Sequence, residues 1–397
     1  MFTNLIPVDA FFSDSFVIIR GWFSLGCRPF YFEVCPRVKV LFLSPNPIEA
    51  ANTRYRIYQY LPYLESQGIE GTVVPFLTSD LFLELYRSGN TLRKIMGIAR
   101  ATLGRAQTVF QTRRFDAVFV SREAMLFGPP VIEWLLTKVA GRPLVFDFDD
   151  AIFEPYVSPT YGRFASWLKY PAKTYQIFSM SSHIIAGNEY LASHARRYNP
   201  NVTIVPTVVD ADLYTSGGSP RAGAARTILG WIGSHSTARY LDLVAPALQQ
   251  LALRHRFLFR VIGAGREIAI PGVEVENRPW RMASEIEDLR GFDIGVYPIV
   301  DDAWSRGKCA FKAIQYMAAG VPVIASPVGM TREIITHNRN GLLANSTEEW
   351  EMSVGALLTR PELRGQLIES GRKTILDQYS LAVHAPRLAK ILKSVIE

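Results

Sequence analysis

Cysteine is scarce in this chain. Only Cys27, Cys35 and Cys309 occur in 397 residues, and no two of them form a CxxC pair. That count argues against a disulfide framework and a structural zinc site, and it points to a reducing compartment. The six histidines show no HExxH or other paired spacing, so metal chemistry built on histidine is set aside and no metal is expected. A zinc finger, an RNP-like strand and a helix-turn-helix signature are all missing, which sets nucleic acid aside as a partner. The aromatic-rich segment Met1–Arg37 is interrupted by Asp9, Asp14, Arg20 and Arg28. It therefore has neither the uninterrupted apolar run of a signal peptide nor the ~20 apolar residues of a spanning helix.

Material for buried cores is ample, with 48% apolar and 20% charged residues. Because a single core rarely grows past roughly 250–300 residues, two domains are expected. The formal net charge of +7 suits an anionic partner such as a nucleotide or a phosphorylated lipid, and suits plain solubility equally.

From Val38 the pattern is regular. The run VKVLFLSP (38–45) is almost wholly apolar, as a strand buried on both faces should be. Strands are expected near 71–76, 115–121, 143–149, 183–187 and 202–206, separated by helices at about 53–67, 88–112, 127–139, 162–178 and 188–197. The Gly/Ser/Ala-rich segment 210–227 breaks the rhythm. Alternation then resumes with strands near 227–233, 257–263, 273–276, 292–299 and 322–326. Alternation at this spacing predicts α/β architecture with two doubly wound parallel sheets, whose carboxyl ends line one cleft. The expected division is an N-terminal extension 1–37, a first Rossmann-like domain 38–209, a linker or surface loop 210–227, a second Rossmann-like domain 228–375, and a C-terminal helix 376–397 returning to the first domain.

The most specific stretch is 303–335, AWSRGKCAFKAIQYMAAGVPVIASPVGMTREII. A loop carrying Arg306, Gly307 and Lys308 leads into a helix expected over 308–319, with Gly320 as its C-cap. Lys308 and Lys312, four apart, would then share one helical face. Small residues at the helix entrance let an anion approach backbone N–H groups, and the helix dipole favours negative charge there. Such a face suits a diphosphate; a solvated helix with ordinary lysines is the alternative.

The run helix–MAAGVPVIAS–PVG–xxEII, completed by NRNGLLA (338–344), resembles the nucleotide-sugar half of retaining glycosyltransferases of the GT-B fold. These are the group 1, family 4-like enzymes, including a bacterial polysaccharide and lipopolysaccharide branch. TRYRIYQYLPYL, DFDDAIFE, AGNEYLASHARRY and VPTVVDADLY extend the resemblance over about 38–395. It implies a transferase that uses a nucleotide-diphosphate sugar and a glycan or lipid-linked acceptor, retains the anomeric configuration and needs no cofactor. It also implies donor contacts from the loop Gly233, Ser234, His235 and Arg239, from Gly307, Cys309 and Ala310, and from Gln315. Two positions depart from the family pattern. The paired glutamates of many members fall here on Gly307 and Gln315, which leaves Gln315 to meet a ribose without charge. Asp301 or Asp302 stands near enough in sequence to replace the missing sugar-side carboxylate. The histidine often found after the third strand is also absent, Ser121, Arg122 and Glu123 standing there instead.

In the first half, Asp147, Asp149 and Asp150 fall at a strand's carboxyl end, where they could orient sugar hydroxyls, hold a divalent ion or cap the next helix. Asp149 and Asp150 join Lys308 and Lys312 as candidate catalytic groups. Arg54 and Arg56, at a helix start, are candidate acceptor-side groups or partners of surface carboxylates. Between Tyr86 and Phe115 there is no acidic residue, while Arg87, Arg93, Lys94, Arg100, Arg105, Arg113 and Arg114 alternate with apolar groups. This composition fits a helix on an anionic membrane surface, hence a cytoplasmic protein held peripherally at the inner face of the plasma membrane, or an ordinary solvated face. Two rival functions share the cleft: a non-catalytic sugar-nucleotide-binding subunit, and a related sugar-nucleotide hydrolase or epimerase.

Overall fold

The computed structural model describes residues 37–85, 89–155, 167–215 and 226–397. The expectations for Met1–Pro36, Arg87, the beginning of the 162–178 helix and the 216–225 part of the linker lie outside the described residues.

Two six-stranded sheets form the frame. The first contains β1 (Val38–Ser44), β2 (Ile69–Pro75), β3 (Ala117–Ser121), β4 (Leu144–Phe148), β5 (His183–Ala186) and β6 (Val202–Ile204) in the order β2-β1-β3-β4-β5-β6. The second contains β7 (Thr227–Ile232), β8 (Phe257–Ile262), β9 (Val275–Arg278), β10 (Ile294–Tyr297), β11 (Val323–Ala325) and β12 (Leu342–Leu343) in the order β12-β11-β10-β7-β8-β9. Every pairing is parallel. Parallel strands need helical crossovers, and those helices cover both faces. This explains why β3, β4 and β8 are buried along their whole length. Strand order reverses between β1 and β3 and between β7 and β10, and open α/β sheets bind ligands at such switch points. The architecture is thus two Rossmann-like domains in the GT-B arrangement.

One apolar cluster runs from β1, β3 and β4 through the interface to Tyr297, Cys309 and Ile314 of the second half. Another fills the remaining face of the second sheet around Trp231, Phe259 and Trp350. The chain crosses between the halves twice, and the crossings meet. Val209 pairs with Ser380, with Leu381 N donating to the Val209 carbonyl at 2.8 Å.

Four helices matter below: α1 (Ala51–Arg56), α2 (Thr91–Gln111), α3 (Phe311–Ala318) and α4 (Leu381–Ser394). α4 packs against residues 58–66 of the first half. Three local expectations need correction. The 53–67 helix is broken into α1, a 3₁₀ turn at Tyr58–Tyr60 and a helix Leu61–Ser66. Ile57 leaves helical geometry there, and Pro62 supplies no N–H. The helix expected over 308–319 begins at Phe311, because Ala310 takes a left-handed φ of 49°. Lys308 therefore stands in the turn before α3 and not on its face. Arg105 does not belong to an exposed basic stripe. It is 2% exposed, and its Nη2 donates to the Ser44 carbonyl at 3.0 Å, anchoring α2 to the carboxyl end of β1. Burial lowers its pKa to about 10.

Candidate active site

The end of β4 and the loop directly after it carry three aspartates, one turned into the first domain and two at the interface. Asp147 is buried and accepts from Arg56, Nε to Oδ2 at 3.1 Å and Nη2 to Oδ1. Arg56 Nη1 also donates to the Val205 carbonyl at 2.8 Å. Arg56 therefore ties α1 to β4 inside the first domain.

Asp149 and Asp150 reach the interface. Arg122 bridges them, Nε to Asp149 Oδ1 at 2.7 Å and Nη2 to Asp150 Oδ2 at 2.7 Å. Its backbone is left-handed, with φ 64°, which aims the guanidinium from the end of β3 across to the end of β4. A non-glycine residue held there carries strain of order 1–3 kcal/mol, and such strain clusters at functional sites. From the second domain, Lys308 Nζ comes within 3.6 Å of Asp150 Oδ1. Burial by itself would raise the Asp150 pKa, but Lys308 and then Arg122 hold it below the ordinary carboxylate value. Lys312 completes the group, its Nζ 5.5 Å from the Tyr297 ring centroid and 6.0 Å from that of Trp231. Burial, then the charge of Lys308, lowers its pKa to about 8, against the pull of Asp150. Three cationic side chains thus converge on two carboxylates, leaving an excess of positive charge. Asp150 caps no described helix, since turns follow it through Glu154.

Backbone contacts hold the two walls together. Asn188 caps its own helix by accepting from Leu191 N at 2.9 Å, and its Nδ2 donates to the carbonyls of Gly307 (3.1 Å) and Lys308 (3.2 Å). The Cys309 thiol donates to the Asp149 carbonyl at 3.2 Å, and burial pushes that thiol's pKa up. This approach requires glycine on both sides. A Cβ at Gly187 would lie 2.2 Å from Cys309 Sγ, and one at Gly307 would lie 2.6 Å from Ala151 Cβ.

A second polar group spans the interface. Arg54 Nη2 donates to Glu285 Oε2 at 2.5 Å, and Glu285 Oε1 accepts from Gln315 Nε2 at 2.8 Å. Gln315 Nε2 also lies 3.2 Å from Tyr214 Oη and 3.4 Å from Tyr55 Oη. The Arg54 guanidinium stacks over Tyr55 and Trp280. Burial raises the Glu285 pKa, with Arg54 and Gln315 pulling the other way.

The loop Gly233–Thr237 leaves the carboxyl end of β7, folded on itself by Ser234 Oγ to Ser236 Oγ (2.9 Å) and Thr237 N to the Ser234 carbonyl (3.0 Å). His235 and Arg239 are exposed there, and Arg239 lies over the Tyr240 ring. Tyr240 Oη reaches Ser305 Oγ at 3.4 Å, joining this loop to the Lys308 turn. Asp301 pairs with Arg306 at 2.6 Å, and Asp302 caps the short helix Ala303–Arg306 through Ser305 N.

The structure therefore gathers Asp149, Asp150, Gly307, Lys308, Cys309, Ala310 and Lys312 in one place, with Gly233, Ser234, His235 and Arg239 on the adjoining loop. Arg54 and Gln315 fall in the second polar group, and Arg56 stands apart from both. Sequence reasoning missed Arg122, Asn188 and Glu285. The only available signal was the position of Arg122 at the carboxyl end of a central strand. Among the described residues, no cluster of His, Cys, Asp and Glu is arranged to hold a metal ion, and no helix is long and apolar enough to cross a membrane.

Residues 226–360 match the family described as Glycosyl transferases group 1. No curated protein matches the chain in sequence. Among solved structures, a glycosyltransferase from Rickettsia africae is 15% identical with a TM-score of 0.65, over 91% of this chain and 99% of that one. HepE of Anabaena, in complex with UDP and glucose, is 15% identical with a TM-score of 0.64, over 90% and 100%. WaaG, a glycosyltransferase involved in lipopolysaccharide biosynthesis, is 13% identical with a TM-score of 0.56, over 89% and 99%. The chain is thus a GT-B-fold protein related, through its second domain, to the group 1 glycosyl transferases.

Proposed function

We propose that this protein is a glycosyltransferase that moves a sugar from a nucleotide-diphosphate donor to a glycan or lipid-linked acceptor, with retention, at the cytoplasmic face of the plasma membrane. The observation that carries the reading is the surplus of positive charge at the switch point of the second sheet, where Lys308 and Lys312 meet Asp150 across the cleft. As the anomeric bond breaks, charge grows on the leaving diphosphate. Lys308, Lys312, Arg239 and the N–H groups around Gly307–Ala310 are assigned to stabilise it. Gly233, Ser234 and His235 are assigned to the nucleotide, while Gln315, buried with its amide on Glu285, is assigned to the interdomain clasp. Asp149 and Asp150 orient hydroxyls of the sugar, and Arg54 and Arg56 act on the acceptor side, Arg56 through the placement of α1. With no free base assigned, the leaving phosphate takes the acceptor's proton, consistent with attack on the face it vacates.

The UDP and glucose bound by HepE and the lipopolysaccharide role of WaaG support donor and acceptor of this kind. Gly307 and Gln315, standing where a carboxylate pair is common, keep a non-catalytic binding subunit as the second reading. The test is calorimetric titration with UDP, GDP and ADP, followed by turnover of the matching nucleotide sugars with lipid-extract acceptors. Binding with turnover supports the transferase, binding without turnover supports the subunit, and failure of every nucleotide to bind overturns both.

A further inference from the structure

α2 is inverted relative to a helix that merely covers a sheet. Its buried positions are polar, Arg105 and Thr108. Most of its large apolar side chains point outward, with Leu92 72%, Leu103 67% and Phe110 83% exposed and Ile95 and Met96 exposed beside them, while Ile98 and Val109 are half-buried. Leu92, Met96, Ala99, Leu103, Ala106 and Phe110 follow one another at alternating steps of four and three, the spacing of one continuous stripe. Beside that stripe run Arg93 and Arg100, with Arg113 and Arg114 at the turn that ends the helix, all four exposed. No acidic residue occurs from Gly89 to Phe115. The neighbouring helices Ser79–Leu85 and Val131–Trp134 touch α2 and carry exposed Leu83, Val131 and Trp134 of their own.

Soluble surfaces rarely leave so large an apolar patch open without a partner for it. A second copy of the helix is a poor partner. Zipping two such stripes together would set arginine rows against each other with no carboxylate to answer them. An anionic bilayer meets both demands, offering apolar depth to the stripe and negative headgroups to the flanking row.

We propose that α2 is a membrane-docking face, lying in the plane of an anionic bilayer with Leu92, Met96, Leu103 and Phe110 at the acyl boundary and the four arginines among the headgroups. The anchor of Arg105 on the Ser44 carbonyl holds this face beside the carboxyl end of β1, the end that opens on the cleft. A lipid-linked acceptor would therefore be met where the first domain can receive it. The inference deepens the reading above only in its acceptor, and its test uses no sugar.

The experiment is flotation of the full chain with vesicles of phosphatidylcholine alone and of phosphatidylcholine mixed with phosphatidylglycerol in roughly equal parts, at low and high salt. The wild type should bind the mixed vesicles and lose much of that binding in high salt. The triple variant Leu92→Gln, Leu103→Gln, Phe110→Gln should partition roughly tenfold more weakly or worse. The variant Arg93→Gln, Arg100→Gln, Arg114→Gln should bind weakly at low salt and show little further salt dependence. UDP affinity, measured on the same samples, should be equal in all three proteins, which separates this test from that of the donor site. Failure of the wild type to bind the mixed vesicles at low salt overturns the proposal, as does equal binding by the apolar variant. A wild-type dimer that the apolar variant converts to monomer would identify a second copy as the occupant and overturn it too.

Discussion

Two polar groups join the domains, and they are built differently. In the first, Arg54 meets Glu285 at 2.5 Å, and Gln315 spends its amide on Glu285 and two tyrosine hydroxyls. Charge there is balanced and the contacts are short, so the group serves as a clasp. In the second, Arg122 satisfies Asp149 and Asp150 from their own domain, and Lys308 touches Asp150 only at 3.6 Å. Lysine charge is left over, and Asp150 keeps a cationic partner even if Lys308 departs. An incoming diphosphate can take Lys308 without stranding a carboxylate. The contrast is between a contact that holds and one that is ready to be exchanged.

Arg56 and Asp147 set the upper end of the scale, a pair sealed within one domain. Arg56→Met should cost about 3–5 kcal/mol of stability by leaving the buried Asp147 carboxyl without its ion-pair partner, as read from denaturant unfolding. A smaller loss would mean that Arg56 faces the acceptor and contributes little to folding. Next come the exchangeable lysines. Lys308→Ala or Lys312→Ala should weaken UDP binding by roughly 1.5–3 kcal/mol in calorimetry with little change in stability, whereas Arg54→Gln should do the reverse. If both lysine variants bind as the parent does, the contrast between clasp and exchange site is lost.

The third expectation concerns pH. Lys312 has a pKa near 8, below its ordinary 10.5. Below about pH 8 it is charged in folded and unfolded chains alike. Between that value and its ordinary pKa the folded chain holds fewer protons, so this residue makes stability rise with pH across the window. Diphosphate affinity should move the opposite way, falling by up to about tenfold per pH unit above roughly 8. Lys312→Arg should abolish that fall, and a parent whose affinity stays flat would remove Lys312 from the phosphate. The smallest effect belongs to Gln315. Gln315→Leu should cost about 1–2 kcal/mol of stability, since it leaves Glu285 Oε1 unpaired. Gln315→Glu should cost at least as much near neutral pH by setting two carboxylates together, and the deficit should shrink as pH falls and one of them takes a proton.

Alternation of apolar runs made the two parallel sheets legible, because strands covered on both faces must be apolar throughout. The helix entrance at Gly307–Lys312 was legible too, as a loop of small residues carrying lysines. What sequence hid was pairing at a distance. Arg54 and Glu285 are 231 positions apart, and nothing in ASEIEDL marks one glutamate as an interdomain partner. Periodicity likewise shows that α2 has an apolar side but not which way that side faces. The same ambiguity hid Arg105, which reads as one more cation in a basic run until its guanidinium is seen beneath the helix. Ala310 disguised the start of α3, since alanine at φ 49° has no signature that distinguishes it from helical alanine.

The bridge between Val209 and Ser380 has a mechanical consequence. Both passages of the chain between the domains are fastened to each other at that point, so the two bodies share a pin in place of two separate tethers. A pin leaves rotation about itself as the softest relative movement and resists sliding. Displacement then grows with distance from the axis, as at the tip of a pair of tongs. Any ligand gripped near the tip, however small, fixes the angle of the whole assembly.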